Sequence, residues 1–316
     1  MIRVARVQQD SGPRWAVVRK DGLSWVEGDF ETTGALLRSG TDAIAEAAAR
    51  TGATTALDGV EFLSPVTRNQ QVVCLAKNYR AHTRETGVDP DSKTFNMWFR
   101  KASSCLCGAN HPIVRPARVR LLDYEVELGL VLARDIVAPE TFENSTLPDA
   151  IGALVVHNDV SARDVQLSEL QYYKGKSFRT FGPTGPWLTL VDDQIRERWH
   201  TLRLRMYVNE ELRQDAVCEN MVYKPGETLT ELSEVQDLRV GDLIASGTPS
   251  GVAMQRSAEQ NAMLAKLPRA KKWQRFTELQ EAGGRYLQPG DRVRATISTD
   301  DGSIDLGALD NRVEAQ

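Results

Sequence analysis

Short apolar runs, alternating or continuous and broken by turn residues, dominate the chain. Residues 2–8, 14–20 and 23–27 predict three strands divided by Ser-Gly-Pro and Asp-Gly turns, a small antiparallel sheet at the front. Thr41 then opens a helix through the Ala-rich run 42–51, and Gly52 stands where a left-handed cap ends it. Another acidic and apolar stretch reaches Ser64-Pro65, so a small N-terminal α/β domain is expected over 1–66 and a larger one over 67–316. The larger part reads as strands at 71–76, 124–133, 152–157, 187–191, 202–208, 242–246 and 292–298, with few helical patterns, which predicts an α+β, β-rich fold. The exception is 257–282, where helix formers with helically spaced apolar residues flank Pro268; it predicts a helical insertion, about 255–287, between two strands.

Composition narrows the function classes. The chain has 316 residues, 39 Lys plus Arg against 43 Asp plus Glu, and a formal net charge of −4. No global positive field exists to hold a nucleic acid. No apolar stretch approaches the ~18 residues needed to span a bilayer, and the first residues carry no signal-like apolar region, so a cytoplasmic protein is expected. Four cysteines, with only Cys105 and Cys107 close together, lack the spacing of a zinc knuckle and read as reduced thiols.

The most informative segment is 121–133, LLDYEVELGLVLA. On one strand, Asp123, Glu125 and Glu127 point one way while Tyr124, Val126 and Leu128 point the other. The acidic face continues as Gly129, Val131 and Ala133, so the strand is expected to run from a polar cavity into a core covered on both faces. Two carboxylates two residues apart can reach one ion, and a divalent cation removes the repulsion that would otherwise raise their pKa values. Asp159, where the apolar run 151–156 stops, is the expected third ligand; capping a helix start is its plainer role. Three carboxylates suit Mg²⁺ or Mn²⁺ rather than a soft metal.

Further chemistry lies on either side. His82 and Glu85 sit in NYRAHTRETG, which predicts a short helix capped by Asn78 and stopped by Gly87. At i, i+3 the carboxylate can fix the imidazole tautomer and raise its basicity, as a general base requires; a solvent-facing charged helix is the alternative. His157 reads as structural, and His111 and His200 carry no assignment. The turn-rich run 172–186 offers Lys174 or Lys176 as a partner for an anionic substrate. The turn 246–251, SGTPSG, offers backbone N–H groups and the Thr248 hydroxyl to an anion, without Walker spacing or a dinucleotide fingerprint.

Taken in order, NYRAHTRE, DYEVELGLVL, HNDVSARDVQ, GKSFRTFGPTGPW, GDLIASGTPSGV and QPGDRVRATI with DLGALDNRV resemble the fumarylacetoacetate hydrolase family over roughly 65–311. The resemblance implies a mixed β-sandwich roll, a homodimer, and Mg²⁺ or Mn²⁺ on Glu125, Glu127 and Asp159. It further implies a lid dyad of His82 and Glu85, a substrate-facing Lys176 rather than Lys174, and Arg163, Gln166 and Thr248 around the keto-acid end of a small-molecule substrate. The implied activity is metal-dependent hydrolysis of a C–C bond in acylpyruvate-like 1,3-diketo acids, with His82 activating water. Oxaloacetate-type decarboxylation or 2-hydroxy-dienoate isomerisation on the same scaffold, and a catalytically silent metal-binding member, are the alternatives. The 257–287 insertion departs from the common pattern, covers either the active site or the dimer surface, and through aromatic and basic residues such as Trp273 and Arg275 bears on substrate size and charge.

Overall fold

The computed structural model describes every residue except 53, 54, 88 and 93, and every side chain of those except 258 and 270. An eleven-stranded sheet forms the frame. Its order is Gly22–Trp25, Gly12–Arg19, Arg3–Gln9, Gly182–Leu190, Ile151–Asn158, Val126–Leu132, Leu243–Ala245, Val72–Ala76 and Met97–Lys101, with Phe62–Leu63 and Leu106–Cys107 as side branches. A five-stranded sheet, Glu211–Val217, Arg203–Val208, Arg292–Ser298, Asp305–Ala315 and Ile113–Arg115, packs on it. The fold is the expected strand-rich α+β, with antiparallel pairing and three parallel pairs.

Side-chain alternation explains the packing. Val126, Leu128, Leu130 and Leu132 join Leu204, Met206, Ala295 and Ile297 of the second sheet in one core, while Val131, Ala153, Val155 and Leu243 build another on the opposite face. The central strands are therefore covered on both sides. The predicted front strands form, and Arg3–Gln9 pairs directly with Gly182–Leu190, Val4 opposite Leu188, so front and body share one sheet.

Three local expectations are corrected. Residues 124–133 are not one strand: Leu122–Asp123 pairs with Ser161–Ala162, and Val126–Leu132 is separate. Side-chain acceptors replace the ladder at the break, because Tyr124 N–H donates to Asp123 Oδ1 (2.8 Å) and Glu125 N–H to Asn158 Oδ1 (3.0 Å). Asn78 does not cap the helix Arg80–Glu85; its Nδ2 donates to Tyr223 O and Ser246 O instead, tying the helix start to two distant loops. Lys176 lies in the helix Tyr172–Lys176, not in a loop. Helices not anticipated, among them Thr33–Ser39, Asp193–Arg198 and Pro225–Val235, are also present. The insertion folds as the helices Ala258–Ala265 and Arg269–Ala282, on either side of Pro268 as expected.

Candidate metal centre

Glu125, at the strand break, and Glu127, one turn of the pleat further, enter the same space as Asp159, which follows the neighbouring strand Ile151–Asn158. Each of these three offers an oxygen within 4.8 Å of the others, and all three are buried. Asp123 leaves the set. The strand break turns it toward Arg163 Nε (2.8 Å) and toward the backbone N–H groups of Ala253 and Met254.

Three buried cations stand against this acidic group. Lys176 Nζ donates to Glu125 Oε2 (2.7 Å), Asp159 Oδ2 (2.6 Å) and Ser161 Oγ (2.8 Å). Lys101 Nζ donates to Asp159 Oδ1 (2.5 Å) and Phe181 O (2.7 Å). Arg163 bridges Asp123 and Glu125 and also holds Gln166 Oε1 (3.1 Å). Burial opposes charge on Asp159, but Lys101 and Lys176 outweigh it and hold its pKa below the ordinary value. Arg163 and Lys176 do the same for Glu125. Glu127 is the exception: burial and then the charges of Asp159 and Glu125 push its pKa well up, and its Oε2 accepts the Gly247 N–H (2.9 Å). Four buried carboxylates, counting Asp123, face three buried cations, so the acidic groups outnumber the basic ones by one. That deficit, with an all-oxygen donor set, fits a hard divalent cation.

His82 and Glu85 project from the helix Arg80–Glu85. His82 Nδ1 lies 3.0 Å from Glu85 Oε2, which assigns the proton to Nδ1 and leaves Nε2 as the acceptor. Glu85 Oε1 in turn accepts the Gly251 N–H at 3.3 Å. Thus two N–H groups of the 246–251 turn, expected to receive an anion, serve Glu127 and Glu85 of the site itself. A cavity of about 130 Å³ brings together His82, Glu125, Glu127, Arg163, Gln166, Lys176 and Thr248, with Leu75, Phe99, Leu167 and Met254 as apolar wall. Lys174 is half exposed and pairs with Glu169. The Thr248 hydroxyl donates to Val126 O (3.0 Å) and accepts from Gln214 Nε2 (2.9 Å).

The chain belongs to the fumarylacetoacetate hydrolase family. The model of the family's C-terminal region matches residues 71–314. Protein Rv2993c of Mycobacterium tuberculosis is 35% identical over 205 residues, 64% of this chain and 73% of its own. The mitochondrial oxaloacetate tautomerase FAHD2B of Bos taurus is 36% identical over 202 residues, 62% of this chain but 61% of its own length. Fumarylacetoacetate hydrolase from psychrophilic Exiguobacterium antarcticum shares the fold across the whole of both chains, with a TM-score of 0.73 and 27% identity.

Two members of the site escaped the sequence reading of this family protein. Lys101 ends the strand Met97–Lys101, opposite Val72, and a lysine closing an apolar run was the available signal. Asn158, whose side chain accepts the Glu125 N–H, stands beside Asp159 at the end of the apolar run. Gly175 matters by its lack of a side chain: a β-carbon there would stand 2.7–2.8 Å from the Gln166 backbone and Cβ, so glycine lets the Lys176 helix lie against the Gln166 helix. His157 is structural, with Nδ1 2.8 Å from Thr184 Oγ1 and its pKa driven to about 3 by burial and then Lys101. Trp273 packs edge-on against Phe276 and Arg275 pairs with Glu278, so neither lines the cavity; Met254 and Arg256 do.

Proposed function

We propose that this protein is a Mg²⁺- or Mn²⁺-dependent enzyme that forms the enolate of a short 2-oxo acid, with Glu125, Glu127 and Asp159 as the metal ligands. The observation that carries this is the convergence of three buried carboxylates, two of which, Glu125 and Glu127, line the same cavity as His82, whose Nδ1 is held by Glu85. A divalent cation bound there supplies Lewis acidity toward adjacent carboxylate and keto oxygens, lowering the cost of the enolate.

The chain's own residues then do the rest. His82 Nε2 accepts a proton, and Glu85 keeps the imidazole in the tautomer that allows it. Arg163 fixes Glu125 and Gln166, while Leu75, Phe99, Leu167 and Met254 limit water. Lys176 places an ammonium beside the developing negative charge. If the proton comes from carbon, the reaction is keto–enol isomerisation, the chemistry named for the bovine relative. If it comes from water, the result is C–C hydrolysis of an acylpyruvate-like acid. The His82–Glu85 pair favours this second reading, and the Exiguobacterium protein is named for such a hydrolysis.

The test is a panel of enolised 2-oxo acids and 2,4-diketo acids, assayed with Mg²⁺, Mn²⁺ or chelator. Metal-dependent loss of enol absorbance is expected, with pyruvate released together with an equal amount of the acyl fragment's acid only if hydrolysis occurs. His82→Ala should suppress both. Metal binding without turnover of any member would instead identify a silent binding protein. We extend the proposal to a cytoplasmic homodimer, which sedimentation of the purified protein and fractionation of its cells would test.

A further inference from the structure

Val126 stands between Glu125 and Glu127, and its backbone lacks a neighbouring strand on one side. Toward Ile151–Asn158 it lies opposite Asn158, but on the other side the pairing with Leu243–Ala245 reaches back only to Gly129. Ser246 N–H on Leu128 O (3.1 Å) is the last rung before the chain turns away. Side chains complete the ladder. The Val126 N–H donates to Gln214 Oε1 (3.0 Å), and Val126 O accepts the Thr248 hydroxyl (3.0 Å). Gln214 Nε2 then donates to Thr248 Oγ1 (2.9 Å) and Pro249 O (2.8 Å), so both amide protons are used.

Gln214 reaches this position from the second sheet. It lies on the edge strand Glu211–Val217, where the register passes from Met206 opposite Gln214 to Tyr207 opposite Leu212 and leaves Arg213 as the extra residue of a bulge. Bulges re-aim the side chains beside them. Gln214 is 1% exposed and shares its face with Met206, a core residue, a setting in which an amide is costly unless its polar atoms are satisfied. The bulge also seats the turn. A β-carbon at Gly251, whose φ is 103°, would stand 1.9 Å from Arg213 O.

The turn held in this way connects the two halves of the site. Its Gly247 N–H donates to Glu127 Oε2 (2.9 Å) and its Gly251 N–H to Glu85 Oε1 (3.3 Å), while Glu85 Oε2 meets His82 Nδ1 (3.0 Å). At its start, Ser246 O accepts Asn78 Nδ2 (2.9 Å), just ahead of the helix Arg80–Glu85. A continuous set of hydrogen bonds thus runs from the backbone between two carboxylates of the metal centre to the imidazole.

We propose that Gln214 is a positioning residue: by fastening the Val126 backbone to the 246–251 turn, it couples cation binding at Glu125 and Glu127 to the setting of Glu85 against His82. This inference rests on the proposed metal site and names the group that ties it to the base. By linkage, whatever loosens Glu85 weakens the cation through Gln214, and the same factor runs in reverse.

Mn²⁺ titration of the full chain, followed by loss of the free-ion electron paramagnetic resonance signal, tests this without turnover. The cycle consists of the wild type, Glu85→Ala, Gln214→Met and the double variant. Gln214→Met keeps the length of the side chain, removes its three hydrogen bonds and should weaken Mn²⁺ about tenfold. Glu85→Ala frees the Gly251 N–H and removes a charge; the charge effect is common to both backgrounds and cancels. Glu85→Ala should therefore weaken Mn²⁺ at least about threefold more in the wild type than beside Gln214→Met. Thr248→Val cuts the same connection one bond further on and should shrink the Glu85→Ala effect likewise, which decides the matter if Gln214→Met does not fold. In a second readout, Mg²⁺ should slow amide hydrogen exchange in Arg80–Glu85 of the wild type, and slow it less in either variant. A side chain that only supports the fold would change affinity without changing what Glu85→Ala does. Equal Glu85→Ala effects in all backgrounds, or Mg²⁺-induced protection undiminished in the variants, overturns the coupling. Absence of Mn²⁺ binding to the wild type overturns the metal-site reading beneath it.

Discussion

Replacing Glu127 by Gln separates what this carboxylate costs the ion-free fold from what it contributes to holding a cation. Glu127 is 1% exposed, and its oxygen lies within 4.8 Å of those of Glu125 and Asp159. At an effective dielectric of about 20, one like-charge contact at that distance costs about 3 kcal/mol. Lys176 offsets part of this. At a pH high enough to ionise Glu127 against its raised pKa, the isosteric amide should therefore stabilise the ion-free protein by up to about 3 kcal/mol, or a few degrees in melting temperature. With divalent ion the order reverses. A site filled at about 100 times its Kd stabilises the wild type by about 2.7 kcal/mol, and the variant should lose most of that gain. The assay is thermal unfolding of both proteins in chelator and across Mg²⁺ and Mn²⁺ concentrations. Equal ion-induced shifts in both, or a variant several degrees less stable in chelator, would refute the assignment of Glu127 as an uncompensated ligand.

Other expectations follow from the same contacts. Lys176→Met removes an ammonium bonded to Glu125 and Asp159, so Mn²⁺ titration should show affinity raised at least about tenfold while turnover falls. Gly175→Ala should force the Lys176 helix away from Gln166, cutting kcat while far-ultraviolet circular dichroism stays native. Burial raises the Cys218 thiol to about 12 from an ordinary 9.0. A raised thiol pKa contributes stability that is present below pH 9 and lost as pH climbs toward 12, at about 1.4 kcal/mol per unit. Melting temperature should fall from pH 9 to 10.5, and less steeply in Cys218→Ala.

Much of the centre was legible because carboxylates on a strand that continues into a two-sided core are hard to explain otherwise. Parity placed Glu125 and Glu127 together, and the end of the next apolar run placed Asp159 beside them. Parity failed for Asp123, because the Asn158 side chain, 33 residues away, takes the Glu125 N–H and breaks the strand. Lys101 was not legible for a related reason. Its burial depends on the pairing of Lys101 with Val72, a register that nothing near Lys101 in the chain specifies. Residues 172–176 read as a turn because glycine separates two lysines, yet that glycine is what allows two short helices to touch. The helix Pro225–Val235 carried readable signals, a proline at its first position and Glu227 two residues later, set against a prior of strands.

The most direct measurement is deuterium exchange at the carbon beside the keto group of a 2-oxo acid, followed by proton NMR in deuterated buffer. With Mg²⁺ or Mn²⁺ the wild type should exchange that proton well above the rate in buffer and metal alone, and chelator, Glu127→Gln or His82→Ala should abolish the excess. Exchange no faster than in buffer and metal alone, for every diacid and monoacid that binds, would contradict an enolate-forming metal site.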